Sequence, residues 1–274
     1  MTKRIVALVL ALLILNSCAH QSSTITDSSH YSKVETELGE AIHRQILQTI
    51  PVYKGKELNL YVQSIGQKLA STAGRKDLSY RFVILDDERI YATHAPGGYV
   101  YITTGFFRFL LSEIELAGIL AQEVALLQYK DPRLSKAKKA FDLFIRTGSY
   151  VGPAFGSIGA LSVVGLALIG NFASRDKSLL ERTRDADKKG FRYMLESNYD
   201  PQGLIDPLRR MTDPRSPYRA YLYDYLQSHP ISPERFQKLD MEFAKLSFEG
   251  KQFDAHREIY LTMTESVRSA FQRK

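Results

Sequence analysis

Residues 112–131 read SEIELAGILAQEVALLQYKD. The spacing of Ile114, Ala117, Leu120, Ala121, Val124 and Ala125 keeps to a helical period, which predicts one mostly buried helix. Ser112 stands three residues before Glu115, the pattern of a capping box. Asp131-Pro132 is expected to stop the helix, because the residue before a proline disfavours helical backbone.

At the centre of this helix lies Gln122-Glu123-Val124-Ala125-Leu126. A zinc-peptidase helix of the HExxH type carries two His at i and i+4, on one face, to grip a metal. The Glu beside the first His is the general base for a metal-bound water. Here Gln122 and Leu126 occupy the two ligand positions, and Glu123 alone remains. Taken alone, QExxL reads as a buried helix that happens to contain a Glu.

The surrounding sequence changes that reading. IYATHAPGGYVYITTG, residues 90–105, precedes the helix at short range, and ELAGILAQE, residues 115–123, follows the pattern ELAxxLAHE at all but one position. Downstream stand Asp185-Ala186-Asp187, Tyr199-Asp200-Pro201, Ser228-His229-Pro230 and Arg235. In this order and spacing the segments resemble peptidase family M48, zinc metallopeptidases, over roughly residues 38–246. The resemblance implies an α+β, mainly helical, zincin-like domain with a small β-sheet beside the HExxH-equivalent helix. It implies a cleft bordered by the strand Ile90–Ala95, including Tyr91, Ala92 and Thr93, which pairs with extended polypeptide by β-augmentation.

It also implies zinc, and here the chain departs from the family. The first two ligand positions are Gln122 and Leu126; the third, a Glu four residues before the Asp of a Glu-x-x-Ala-Asp motif, falls on Thr183, with Asp187 the retained Asp. A slip of two residues would put Asp185 there instead. Amide, alkyl and hydroxyl groups are not zinc ligands, so no intact metal site and no cofactor are expected.

The chain has 274 residues, 44% of them hydrophobic, enough for one sizeable core. Residues 1–17 read as a lipoprotein signal peptide: Lys3 and Arg4, then the apolar run Ile5–Leu15, too short for a good membrane span. Leu15-Asn16-Ser17-Cys18 has the form of a lipobox, with lipid expected on Cys18, the only cysteine. Ala19 rather than Asp after it points to an outer-membrane lipoprotein facing the periplasm. Residues 18–31 are polar and Ser-rich and read as a flexible tether carrying His20 and His30.

The expected domain occupies 32–246, with a C-terminal helical tail over 247–274 and a surface helix from Arg257. Helices are predicted from Val34 to Pro51, around Tyr61–Leu69, and over Leu179–Leu195, where Thr183 and Asp187 share a face. Strands are predicted at Tyr80–Leu85, Arg89–Thr93 and Tyr99–Thr103, the last two joined through Pro96-Gly97-Gly98. His94 reads first as a solvent-facing edge residue, with reach into the cleft as the alternative. Tyr218, Tyr221, Tyr223 and Tyr225 read as core rings. His229 matches a family His near the metal and can bond Glu123 or Asp187, or can be a plain loop residue; Arg235 can neutralise a cleft carboxylate. Residues 149–174 carry no charge; about 150–174 is taken as an apolar helical insertion packed against protein rather than a span.

Net charge is +7, or +5 once Lys3 and Arg4 are removed with the signal. That favours anionic or acidic envelope partners; no nucleic-acid-binding motif is present. Three functions fit the residues. The first is a catalytically inactive metallopeptidase-like lipoprotein that binds peptides, unfolded proteins or envelope proteins in quality control. The second is an active metalloendopeptidase with a rebuilt site drawn from Glu123, His229, His94 and Asp185 or Asp187. The third is a structural envelope lipoprotein.

Overall fold

The computed structural model describes residues 28–130, 134–135, 138–139 and 177–272. The signal peptide, Cys18, Asp131-Pro132 and the apolar 154–172 stretch lie outside them. Among the described residues no helix is long and apolar enough to cross a membrane.

The fold is α+β and mainly helical. Helix α1 spans Ser28–Thr49 and α2 spans Lys56–Thr72, followed by strands β1 (Arg81–Leu85), β2 (Ala92–Ala95) and β3 (Tyr99–Thr103). Helices α3 (Thr104–Phe109) and α4 (Glu113–Leu126) lead to α5 (Lys177–Glu196) and α6 (Gln202–Met211). Then come α7 (Tyr223–Ser228), α8 (Pro233–Phe243) and α9 (Arg257–Gln272). Helix α1 begins inside the segment expected as tether, so His30 and Tyr31 are helical.

The sheet runs β1-β3-β2. Strand β3 is central and buried along its whole length, parallel to β1 and antiparallel to β2. Strand β2 starts at Ala92, three residues later than expected, although Tyr91 O still accepts from Thr103 N. The hairpin between β2 and β3 needs left-handed backbone at Gly97 (φ +78°) and Gly98 (φ +92°). A Cβ on Gly98 would also lie 2.6 Å from Ser79 O.

Helix α4 is buried nearly all round because sheet, α2, α5 and α6 enclose it. It passes α6 at backbone contact distance: a Cβ on Gly118 would stand 2.5 Å from Gly203 O. The capping box forms only in part. Ser112 is the N-cap residue but its hydroxyl makes no capping bond, and Glu115 accepts instead from Leu111 N. Glu115 is drawn outward by a two-pronged ion pair with Arg210 of α6. Glu113 accepts from the hydroxyls of Tyr61 and Tyr199. Helix α4 ends at Leu126, before Asp131.

Two expectations change. Of the tyrosine run only Tyr225 is fully buried; Tyr221 and Tyr223 are exposed, where a 3-10 turn at Arg219–Tyr221 leads into the short α7. Helix α9 exists from Arg257 but is docked rather than superficial. Tyr260 and Thr264 are fully buried, and Tyr260 and Arg268 donate to Phe107 O, where α3 is ending.

Gly98 and Gly250 (φ +68°) offer a controlled comparison, since nothing lies within 4 Å of a Cβ on Gly250. Gly250→Ala should cost about 1 kcal/mol from backbone strain alone. Gly98→Ala should cost about 3 kcal/mol or more, because the added carbon also collides with Ser79 O. Urea denaturation of the two variants checks the difference.

Candidate functional site

The site is where α4, α5, β2 and the segment after α7 meet. Gln122 and Glu123 lie on α4, and both are buried. Thr183 and Asp187 lie one turn apart on α5 and are buried too. Asp185, two residues from each, falls on the outer face, exposed and ion-paired with Lys189. It takes no part in the site. Leu126 packs against the apolar core.

Two carboxylates sit inside. Asp187 is held by the Arg235 guanidinium, whose Nε and Nη2 each donate at 2.8 Å. Arg235 is itself fully buried and spends Nη1 on Pro230 O. Burial opposes its charge, yet the Asp187 carboxylate outweighs burial and raises its pKa. Asp187 Oδ1 also accepts from Gln122 Nε2 at 2.5 Å. The other end of that amide, Oε1, accepts from the Tyr225 hydroxyl at 3.2 Å.

Glu123 is completely buried and lies between two histidines. His94 Nδ1 is 2.8 Å from its Oε2. His229 Nε2 is 2.9 Å from its Oε1, but the ring N–H is not directed at that oxygen, which is left without a hydrogen bond. This second contact is a close approach without a hydrogen bond. His229 is positioned by its neighbours: Tyr225 stacks on its ring with centroids 4.4 Å apart, and Ser228 Oγ lies 2.9 Å from Nδ1. Burial alone would raise the Glu123 pKa. The close electrostatic approach of His229 and the bond of His94 overcome it and hold the carboxyl at about 2.

His94 is therefore a residue of the site, not a solvent-facing edge. Strand β2 turns it toward α4, and about a quarter of its side chain remains exposed. Ala92 and Thr93 are buried, as is Tyr91, which lies just outside β2. A bulky residue at Ala92 would disrupt packing before it reached a cleft. Arg235 neutralises Asp187, and His229 faces Glu123 rather than Asp187. Sequence reading missed Tyr225 and Ser228. The i, i+4 spacing of Tyr225 and His229 is the signal that places one ring over the other.

The donor set does not suit zinc. An amide, an alkyl group and a hydroxyl stand at the three ligand positions, and the Gln122 amide is already bonded at both ends. Each histidine nitrogen that faces Glu123 is taken up by a carboxylate oxygen, at 2.8 and 2.9 Å. Among the described residues no group of three His, Cys, Asp or Glu side chains is arranged around a common metal position.

A small sheet beside a buried Gln-Glu helix, with an Asp on the next long helix facing it, defines a metallopeptidase-type domain. Residues 56–242 match peptidase family M48, and the chain belongs to that family. The Beta-barrel assembly-enhancing protease of Yersinia pestis is 26% identical over 209 residues, 73% of this chain and 42% of that protein. The protein of the same name from Escherichia coli is 22% identical over 205 residues, again 73% and 42%. A Putative beta-barrel assembly-enhancing protease of Vibrio cholerae is 23% identical over 216 residues, 77% and 44%. The chain thus spans less than half the length of these relatives.

The Glu123 carboxyl, held below its ordinary value, contributes stability above about pH 4.5 that is lost as pH falls toward about 2. Glu123→Gln should flatten the acid side of the stability curve relative to wild type. His229→Ala, which leaves a buried carboxylate short of a partner, should cost about 3–5 kcal/mol at neutral pH. The double variant should cost less than the two single losses added together. Urea midpoints measured from pH 2 to 7 check all three expectations.

Proposed function

We propose that this chain is a catalytically inactive, metallopeptidase-like lipoprotein of the bacterial cell envelope, anchored in the outer membrane by lipid on Cys18. It binds peptides, unfolded proteins or envelope proteins in quality control or assembly and does not cleave them. The observation that carries the reading is the pair of closed contacts at the site centre. Gln122 is tied to Asp187 and Tyr225, and Glu123 is held between His94 and His229. A general base must reach a water or substrate proton, and Glu123 has no exposed surface from which to do so. The names of the relatives support an envelope role for proteins sharing this domain, and the lipobox supports the anchor.

A rebuilt metal site is a second reading with one observation behind it: His94 and His229, legal zinc ligands, both converge on Glu123. Metal content separates the two. The purified chain is expected to contain no stoichiometric zinc and to leave unfolded casein uncut while binding it. One zinc per chain, with chelator-sensitive cleavage, would overturn the proposal.

Glu123→Gln is expected to preserve cellular function and to change stability by about 1–3 kcal/mol, the scale of one buried polar interaction. Complementation of a deletion strain at matched protein levels checks it. A folded, abundant and inactive Glu123→Gln protein would mean that Glu123 performs chemistry.

A further inference from the structure

The chain enters the described fold at Ser28, where α1 begins. That end of the molecule also holds the close of α2, the close of α4 and the start of α5, which contacts between side chains knit together. Ser32 Oγ donates to Asp77 Oδ2 at 3.1 Å, and Gln128 Oε1 accepts from Arg75 N at 2.9 Å. Lys130 Nζ lies 5.6 Å from the centroid of the Tyr31 ring, and Arg182 stands 4.9 Å over that of Tyr129. Arg75 is buried here and joined to Glu35 and Asp77. The exposed cations of this end are Lys33, Lys76, Lys130 and Lys139. Against them stand Glu37, which Lys138 approaches at 3.5 Å, and Glu181, next to Arg182 in the chain. Among the described residues, then, cations outnumber acids at this end. Tyr129 is 45% exposed and adds a ring with an apolar body and a polar tip.

We infer that this end of the domain lies on the phospholipid surface that takes up the lipid of Cys18. Lys and Arg meet head-group phosphates there, and a half-exposed tyrosine settles at head-group level. The ten peptide steps from Cys18 to Ser28 span at most about 35 Å, so the same end is always held close to the bilayer. A short tether makes the second contact an intramolecular one, which a few weak charge contacts suffice to close. The far end of α2, with the exposed Lys54 and Lys56 at its start, is about 25 Å away along a helix of 17 residues. The tether and the surplus of charge thus select one face of the domain over the others. The inference rests on the proposed lipid anchor and adds how the domain sits upon it.

The test uses the full chain purified from cell membranes and mixed with vesicles of phosphatidylcholine, alone or with phosphatidylglycerol added. An amine-reactive label with mass spectrometry reads each lysine, and the mass of the Cys18 peptide reports its lipid. On the anionic vesicles Lys33, Lys76 and Lys130 are expected to label several times more slowly than on the neutral ones, while Lys54 and Lys56 label equally on both. Lys33→Gln/Lys130→Gln, at two exposed positions, should restore the Lys76 rate without releasing the chain from the vesicles. Equal rates on both vesicles overturn the inference, as does protection of Lys54 and Lys56 to the same degree, or protection of Lys76 that the double variant leaves unchanged. If Cys18 carries lipid in those cases, the anchor stands without the docked face. Protection in a chain without lipid upholds the face and overturns the anchor. A chain without lipid that neither vesicle retains overturns both.

Discussion

A carboxylate taken out of water must find positive charge or strong donors, and the centre of the site encloses two of them. Glu123 and Asp187 lie on neighbouring helices, and each is met by a basic side chain from one short stretch, His229 to Arg235. That stretch is stiffened by Pro230 and Pro233, and Ser232 caps α8 by accepting from Arg235 N. The rest of the arrangement follows. Arg235 reaches Asp187 because α8 starts where it does, and His229 reaches Glu123 because α7 ends one residue before it.

In an intact zinc peptidase of this family a metal would join α4 to α5. Here the two helices are joined by a hydrogen bond from Gln122 to Asp187, with Arg235 closing the far side. The Gln122 amide supplies a donor long enough to span the gap between the two helices. Thr183 remains buried on the same face of α5. The fold is carried by packing around α4, including its backbone contact with α6 at Gly118 and Gly203, and that packing does not depend on a ligand set.

Much of this was legible in the residues. The helical period between Ile114 and Ala125 located α4, and the motif order identified the family. The spacing of Thr183 and Asp187 put both on the inner face of α5, and the same arithmetic sends Asp185 outward. Arg235 announced itself as the cation for a buried acid. His94 was not legible, because alternation within a four-residue strand does not say which way a lone polar residue turns when both faces are covered. Nor was the fate of the tyrosines, since a turn after Pro217 breaks the period that would have put them on one side. Nor was the other half of the capping box, since the Glu115 carboxylate is shared between Leu111 N and Arg210, nearly a hundred positions later, instead of reaching back to Ser112 N.

Glu123 is touched by residues 94 and 229, one before it and one more than a hundred positions after it. Local fluctuation of the centre is thereby suppressed. If the segment after α7 lifted away, it would strand an anion in an apolar interior, and if β2 peeled back, the same anion would lose its other partner. Neither element can open cheaply by itself. The amide protons of β2, the middle of α4 and the end of α7 are therefore expected to exchange as one unit.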